Sequence, residues 1–142
     1  MSDLRFPTVE TDRLIVRPFT EADAGARFAL MREAFGVDWP PDQMARGHQW
    51  TRLSYESFAA MWQPAYGDYA VALKTAGELI GSVGIAPAVI PWAVLTPPAP
   101  ASARVSPEFG LFWAISRAHQ GHGYATEAAK PVIAFLFDVL YT

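Results

Sequence analysis

Gly121 and Gly123 stand one residue apart in HQGHGYATEAAK, residues 119–130, and helix-forming residues follow them at once. Glycine reaches left-handed backbone angles and lets its amides approach a bulky group with no side chain in the way. A helix start presents N–H groups that no carbonyl inside the helix accepts, and aligned peptide dipoles add partial positive charge there. Together these features make a phosphate cradle that needs no lysine. Two common phosphate patterns do not fit. A nucleoside-triphosphate loop ends in Gly-Lys-Ser/Thr, and GHGYAT has no such ending. The dinucleotide fingerprint wants a third glycine and an early strand, whereas the strand before this loop is among the last in the chain.

Other residue types narrow the chemistry. Glu108 opens the apolar segment ahead of the loop, where a carboxylate either takes a proton from a reacting group or stands solvated at a strand end. His48, His119 and His122 form no H-E-x-x-H arrangement. His119 and His122 are three apart, but the surrounding glycines do not make a rigid ligand pair, so no metal site is expected and both read as solvated loop histidines. The absence of cysteine excludes disulfides, thiol nucleophiles and thiolate metal sites. Eleven basic and 14 acidic residues, with no basic block and a formal net charge of −3, argue against a nucleic-acid partner. The start, MSDLRFPTVE, lacks the basic segment and apolar core of a secretory signal, and no apolar run approaches the ~20 residues of a membrane span. The expectation is a cytoplasmic chain with no membrane partner. At 142 residues, 51% hydrophobic and 18% charged, it reads as one folded domain over 1–142.

The elements that must position these residues follow from periodicity. RLIVRPF (13–19) alternates and predicts a strand; Thr20 then caps a helix, with Asp23 completing a capping box. That helix carries Ala24, Phe28, Leu30 and Met31 along one side and stops near Gly36. VDWPPDQMARGHQW (37–50) reads as an irregular loop, and a second helix is expected over 54–62 with Tyr55, Phe58, Ala59 and Trp62 on one face. YAVALK (69–74) and ELIGSVGIA (78–86) predict a hairpin turning at 75–77, with Gly81 and Gly84 marking a bulge or a close approach. Six prolines between 87 and 107 predict an extended connection, with a short edge segment at 92–95. EFGLFWAIS (108–116) reads as a strand buried on both sides. The last helix places Ala128, Ala129, Val132, Ile133, Leu136, Phe137 and Leu140 on one face, and Pro131 inside it predicts a kink near Glu127 or a shortened helix.

Gln120 to Ala125, Q-x-x-G-x-A, resembles the acetyl-coenzyme A pyrophosphate loop of the GNAT N-acetyltransferase superfamily, written R/Q-x-x-G-x-G/A. ETDRLIVRPFTEADA (10–24) resembles the opening strand and helix of the branch containing the ribosomal-protein alanine N-acetyltransferases. GELIGSVGIA (77–86) looks like that branch's third strand, and GYATEAAK (123–130) like its signature helix start. The resemblance spans residues 10 to about 138 and implies an α/β fold, a GNAT-like mixed and largely antiparallel sheet flanked by helices. It also implies acetyl-CoA as cosubstrate, no metal, and transfer of the acetyl group to an amine without a covalent enzyme intermediate. The acceptor is then a protein N-terminus or a small-molecule amine.

Site residues follow from the same resemblance. The backbone of Trp113, Ala114 and Ile115 would pair with the pantetheine arm as an added strand does. Amides of Gln120, Gly121, His122, Gly123, Tyr124 and Ala125 would hold the pyrophosphate, Thr126 would add a hydroxyl, and Glu108 would serve as the base. Trp39, Trp50 and Trp62 fall where the first two helices would form the acceptor cleft, and core packing is the favoured reading for them. The rival to an enzyme is a non-catalytic GNAT-like module that senses acyl-CoA or associates with a protein.

The resemblance further implies another strand, helix and closing hairpin, with a tyrosine that protonates the departing thiolate. FLFDVLYT (135–142) lies within or just after the coenzyme helix, and Tyr141 is not at the matching place. The expectation is therefore a domain lacking its C-terminal strands, with Phe135 and Phe137 on a partly uncovered helix face. Such a chain should form a homodimer through that end or belong to a longer protein, and should transfer acetyl groups poorly alone.

Overall fold

The computed structural model describes residues 3–91 and 105–139. Leu14 and Val16 are fully buried and alternate with the half-buried Ile15 and Arg17, which makes β2 (Leu14–Arg17) a strand with one core face. β1 (Val9–Glu10) pairs with it, and β3 (Gly67–Leu73), β4 (Leu79–Pro91) and β5 (Val105–Ile115) follow. The five strands lie in chain order, each antiparallel to its neighbour. Helices α1 (Ala24–Phe35) and α2 (Pro41–Ala60) sit between β2 and β3, and α3 (Tyr124–Asp138) follows β5. The largest core cluster joins Leu14, Val16, Tyr69, Val71, Val83 and Ile85 of the sheet to Val132, Phe135 and Leu136 of α3 and to Phe6. α1 packs against β4 and β5. No helix among the described residues is long and apolar enough to cross a membrane.

The hairpin, the first strand and α1 agree with their sequence patterns. Four other readings need correction. The stretch 37–50 is mostly helical, because α2 begins at Pro41 and not near Ser54. Pro41 sits in the first helical turn, where the missing N–H is one that the helix would leave unpaired anyway. The 87–107 segment is not a simple connection, because β4 runs to Pro91 and β5 starts at Val105. The expected edge segment at 92–95 lies outside the described residues. β5 is not buried on both sides: among the described residues it is the outermost strand of the sheet, and Trp113 is 55% exposed. In α3, Phe135 is buried while Ile133 and Phe137 are 40% and 67% exposed, so the expected apolar face is not all core, and the helix runs through Pro131 to Asp138. Leu140 lies outside the described residues.

The prolines fit the ladder because of its phase. Ser116 donates its N–H to the Ile80 carbonyl at 2.8 Å, and the β4–β5 register continues without a slip from Gly81 opposite Ile115 to Pro91 opposite Val105. Even-numbered residues of both strands therefore bond to each other, and odd-numbered ones turn their backbone groups outward. Pro87, Pro91 and Pro107 are all odd. Each lacks an N–H that the ladder does not use. Within β4, Gly81 and Gly84 mark close approaches: a Cβ at Gly81 would strike the Ala114 carbonyl, and one at Gly84 would strike the Phe112 ring.

Arg17 and Asp23 fasten β2 to the start of α1. The guanidinium donates to both carboxylate oxygens at 2.7 and 2.9 Å, and Asp23 also accepts from the Thr20 backbone at 2.6 Å and the Thr20 hydroxyl at 2.9 Å. Burial pushes the Asp23 carboxyl up, but the bonds from Arg17 and Thr20 outweigh it and hold the group at about 2, against an ordinary 3.8. A carboxyl depressed in the folded state stabilises the fold fully above its unfolded value, and that stabilisation disappears as pH falls from about 4 toward 2. We predict that Asp23→Asn lowers stability by about 2 kcal/mol at pH 7. Urea titrations at several pH values should show a shallower loss between pH 4 and 2 than in the parent. Equal stability at neutral pH would show that the pair is not a fastening.

Candidate functional site

The end of β5 and the start of α3 form one cleft of about 430 Å³. On the strand side, the phase of the ladder turns the backbone groups of Trp113 and Ile115 toward the free edge, while those of Ala114 face Ser82. The Ile115 carbonyl is taken: Gln120 Nε2 donates to it at 2.8 Å, which ties the loop to the strand. Trp113 keeps its edge groups open to the cleft.

On the helix side the two glycines explain themselves. Gly121 and Gly123 have φ of 79° and 78°, in the left-handed region that a side chain disfavours. Gly123 caps α3 and has no side chain to offer. The helical bonding begins with the Glu127 N–H on the Gly123 carbonyl at 3.0 Å, so the amides of Tyr124, Ala125 and Thr126 precede the first intrahelical bond. No atom would meet a Cβ at Gly121 within 4 Å, and only an Arg13 nitrogen, at 3.8 Å, would meet one at Gly123. The side-chain space at both glycines is thus open, and an anion seated at this helix start would face the positive end of a 15-residue helix.

Long-range contacts hold this end of α3 in place. Glu127 accepts from the Thr11 hydroxyl at 2.6 Å, the Arg13 backbone N–H at 2.9 Å and the Arg13 guanidinium at 2.6 and 2.7 Å. Desolvation pushes its carboxyl up, and these bonds together push it further down, below the ordinary glutamate range. The Arg13 guanidinium lies 4.5 Å from the centre of the Tyr124 ring, and the His122 ring stacks against Tyr124 at 5.5 Å. Across the cleft, Glu33 of α1 accepts the Arg117 N–H at 2.5 Å, which pins the helix to the loop.

Of the residues singled out in the sequence, Trp113, Ala114, Ile115, Gln120, Gly121, Gly123, Tyr124 and Ala125 line this cleft. His122 does not: its Nδ1 turns to the carbonyls of Gln120 and His119 at 2.9 and 3.2 Å. Thr126 is exposed in the first turn and lies outside the lining. Glu108 is exposed on β5 opposite Ala88, on the sheet face shared by Phe112 and Ala114. Glu33, Phe35, Arg117 and His119 also line the cleft, and the sequence assigned them no part there. His119 is oriented by Ser116, whose hydroxyl lies 2.8 Å from Nδ1. Trp39, Trp50 and Trp62 are not core, being 47%, 63% and 58% exposed. No group of three or more His, Asp or Glu among the described residues is placed to hold a metal ion.

Comparison with known proteins gives the family. Residues 13–142 match the family model described as acetyltransferase (GNAT) domain. The chain belongs to the GNAT acetyltransferase family. It is an acyltransferase of a family that takes acetyl-CoA as acyl donor. Among solved structures it is similar to an acetyltransferase from Agrobacterium tumefaciens str. C58, with 25% identity and a TM-score of 0.66 over 96% of this chain and 70% of that one. Two further likenesses show the fold alone. A proposed GnaT-family acetyltransferase from Bordetella pertussis is 24% identical, with a TM-score of 0.62 over 94% of this chain and 73% of that one. A proposed ribosomal-protein-serine acetyltransferase from Vibrio cholerae is 22% identical, with a TM-score of 0.62 over 94% and 68%. No protein of curated function matches the sequence.

The cleft fits a GNAT coenzyme on its own geometry: a free strand edge leads to a glycine-opened helix start. We predict that Gly123→Val lowers affinity for coenzyme A at least tenfold. Gly77→Val is the control, since Gly77 has a φ of 67° in the β3–β4 turn and does not line the cleft. Both variants should lose stability on the order of 1–2 kcal/mol from the left-handed angle. Calorimetry with coenzyme A should separate them; equal affinities in the two folded variants would remove the loop from the site.

Proposed function

We propose that this chain transfers the acetyl group of acetyl-CoA to a primary amine by direct attack, with Glu108 as the proton acceptor. The observation that carries the reading is the convergence of the Trp113 edge with Gly121, Gly123, Tyr124 and Ala125 on one cleft. When bound, the coenzyme supplies a thioester carbonyl already activated for attack. The β5 edge orients the coenzyme arm through the Trp113 backbone, as an added strand would be held. The amides of Gly121 to Ala125 hold the pyrophosphate against the helix start, the Gln120 N–H being bonded to the Arg117 carbonyl at 3.4 Å, and the Thr126 hydroxyl adds a contact from the first turn.

The amine must lose its charge before it can attack. Glu108 stands on the β5 face that Phe112 and Ala114 share, about 13 Å along the strand from Phe112 at ~3.3 Å per residue. Water therefore relays the proton from the amine to its carboxylate. The amine nitrogen bonds to the acetyl carbon as the carbon–sulfur bond breaks, and the thiolate leaves and is protonated from solvent. The His122 ring turns its Nδ1 to the carbonyls of Gln120 and His119 and lies outside the cleft lining.

Acetyl-CoA turnover with an amine acceptor, followed as free-thiol release, tests this directly. Glu108→Gln should lower kcat on the order of a hundredfold and leave coenzyme A affinity unchanged. A loss smaller than about threefold would return Glu108 to a solvated strand residue.

A further inference from the structure

A second cleft, of about 580 Å³, opens between the C-terminal half of α2 and the β4–β5 pair. Its wall is a run of rings. Trp50 meets Phe58 edge-on at 6.4 Å, and Phe58 meets Tyr66 edge-on at 5.9 Å. Phe112 closes the sheet side, and Ile85, Ala86 and Pro87 form the floor. None of the described residues lining it is charged.

This cleft is linked to the coenzyme cleft by shared side chains. A smaller cleft of about 340 Å³ lies between them; it shares Phe35 with the coenzyme cleft and Phe112 with the aromatic one. Phe112 reaches both because Gly84 beneath it has no Cβ, which would strike the ring. The carboxylate of the middle cleft, Asp68, is paired with the Arg27 guanidinium at 3.2 Å, and Arg27 also bonds the Thr51 hydroxyl. Asp68 is therefore engaged and not free to hold a cationic acceptor. Glu108, opposite Ala88, is the next residue on this sheet face beyond the pair Ala86–Gly110.

We propose that the acceptor carries its primary amine on an uncharged aromatic or branched apolar body, and that this body seats in the cleft of Trp50, Phe58, Tyr66 and Phe112. The inference rests on the amine-acetylating reading above and names the acceptor class. Ring walls recognise a body by stacking and by apolar burial. A polyamine or another polycation would bring several charges to a cleft whose described lining carries no carboxylate, with only Glu108 near its end. The amine end points through the middle cleft toward the coenzyme, and Glu108 lies at the opposite end of the aromatic cleft, beyond the Ala86–Gly110 pair.

Tryptamine, a short peptide amide beginning with tryptophan, and spermidine are the probes, assayed with acetyl-CoA on the full chain. The expected kcat/KM for tryptamine or the peptide exceeds that for spermidine by at least thirtyfold, and the better of the two tells a small amine from a chain N-terminus. Trp50→Ala, at a largely exposed position that truncation leaves folded, should raise the KM of the preferred aromatic acceptor at least tenfold. It should change coenzyme A affinity by less than twofold. Equal or better use of spermidine, or an unchanged acceptor KM in Trp50→Ala, overturns the proposal. Binding of N-acetyltryptamine, followed by calorimetry without any turnover, separates the two readings. If no amine is acetylated but N-acetyltryptamine binds the parent and not Trp50→Ala, the transfer reading fails and the aromatic cleft stands. If N-acetyltryptamine does not bind the parent, the cleft assignment fails whatever the activity.

Discussion

A β-strand carries hydrogen-bonding groups along both edges, and β5 pairs only one of them among the described residues. The site depends on that one-sided pairing. The ladder phase set by Ser116 on Ile80 commits the even residues of β5 to β4 and turns Trp113 and Ile115 outward. Gln120 then takes the Ile115 carbonyl and draws the glycine loop up to the edge. The same phase accommodates Pro87, Pro91 and Pro107, so both long strands persist through a proline-rich segment. Glu127, held by Thr11 and Arg13, fixes the start of α3 from the far side of the sheet, where β2 supplies an anchor. A strand edge and a helix start are thereby brought to one cleft by contacts from the loop and from the residues before β2.

Much of this was legible in the residues. Alternation in 13–19 and 69–74 marked β2 and β3, and the glycine pair before a helical run marked a loop whose two glycines do adopt positive φ. α2 was legible only in part, because its buried line is Met44, His48, Thr51 and Ser54, and three of those four are polar. A search for apolar periodicity passes over such a helix, and Pro40–Pro41 looks like a break although Pro41 is a natural first residue. The apolar composition of 108–116 carried no information on whether a neighbour covers the strand. In α3, apolar residues occupy too wide an arc for sequence alone to tell buried Phe135 from exposed Phe137. Glu33 was missed because its partner, Arg117, lies 84 residues away and no local pattern announces the pair.

The electrostatics divide the molecule along the sheet. The most buried charged pairs lie where α1 and α2 meet the ends of β2 and β3, with Arg17 on Asp23 and Arg27 on Asp68. The cleft at the β5–α3 junction sets backbone groups beside Glu33, Arg117 and His119, and uncharged rings dominate beyond Phe112. Gly84 matters to this division: it has no contact of its own to offer, yet its missing Cβ lets Phe112 lie where two clefts meet. A donor bearing phosphates and an acceptor lacking charge would thus be recognised by opposite kinds of surface at the two ends of one path.

Amide hydrogen exchange with and without coenzyme A tests the central claim most directly, because that claim concerns backbone groups. The account predicts slowed exchange at Trp113 and across 121–126, with the amides of β1 and β2 unchanged. Protection confined instead to residues around the cavity of about 550 Å³ between Phe6, Tyr69 and Phe135 would contradict it, and would place the coenzyme on the opposite side of the sheet.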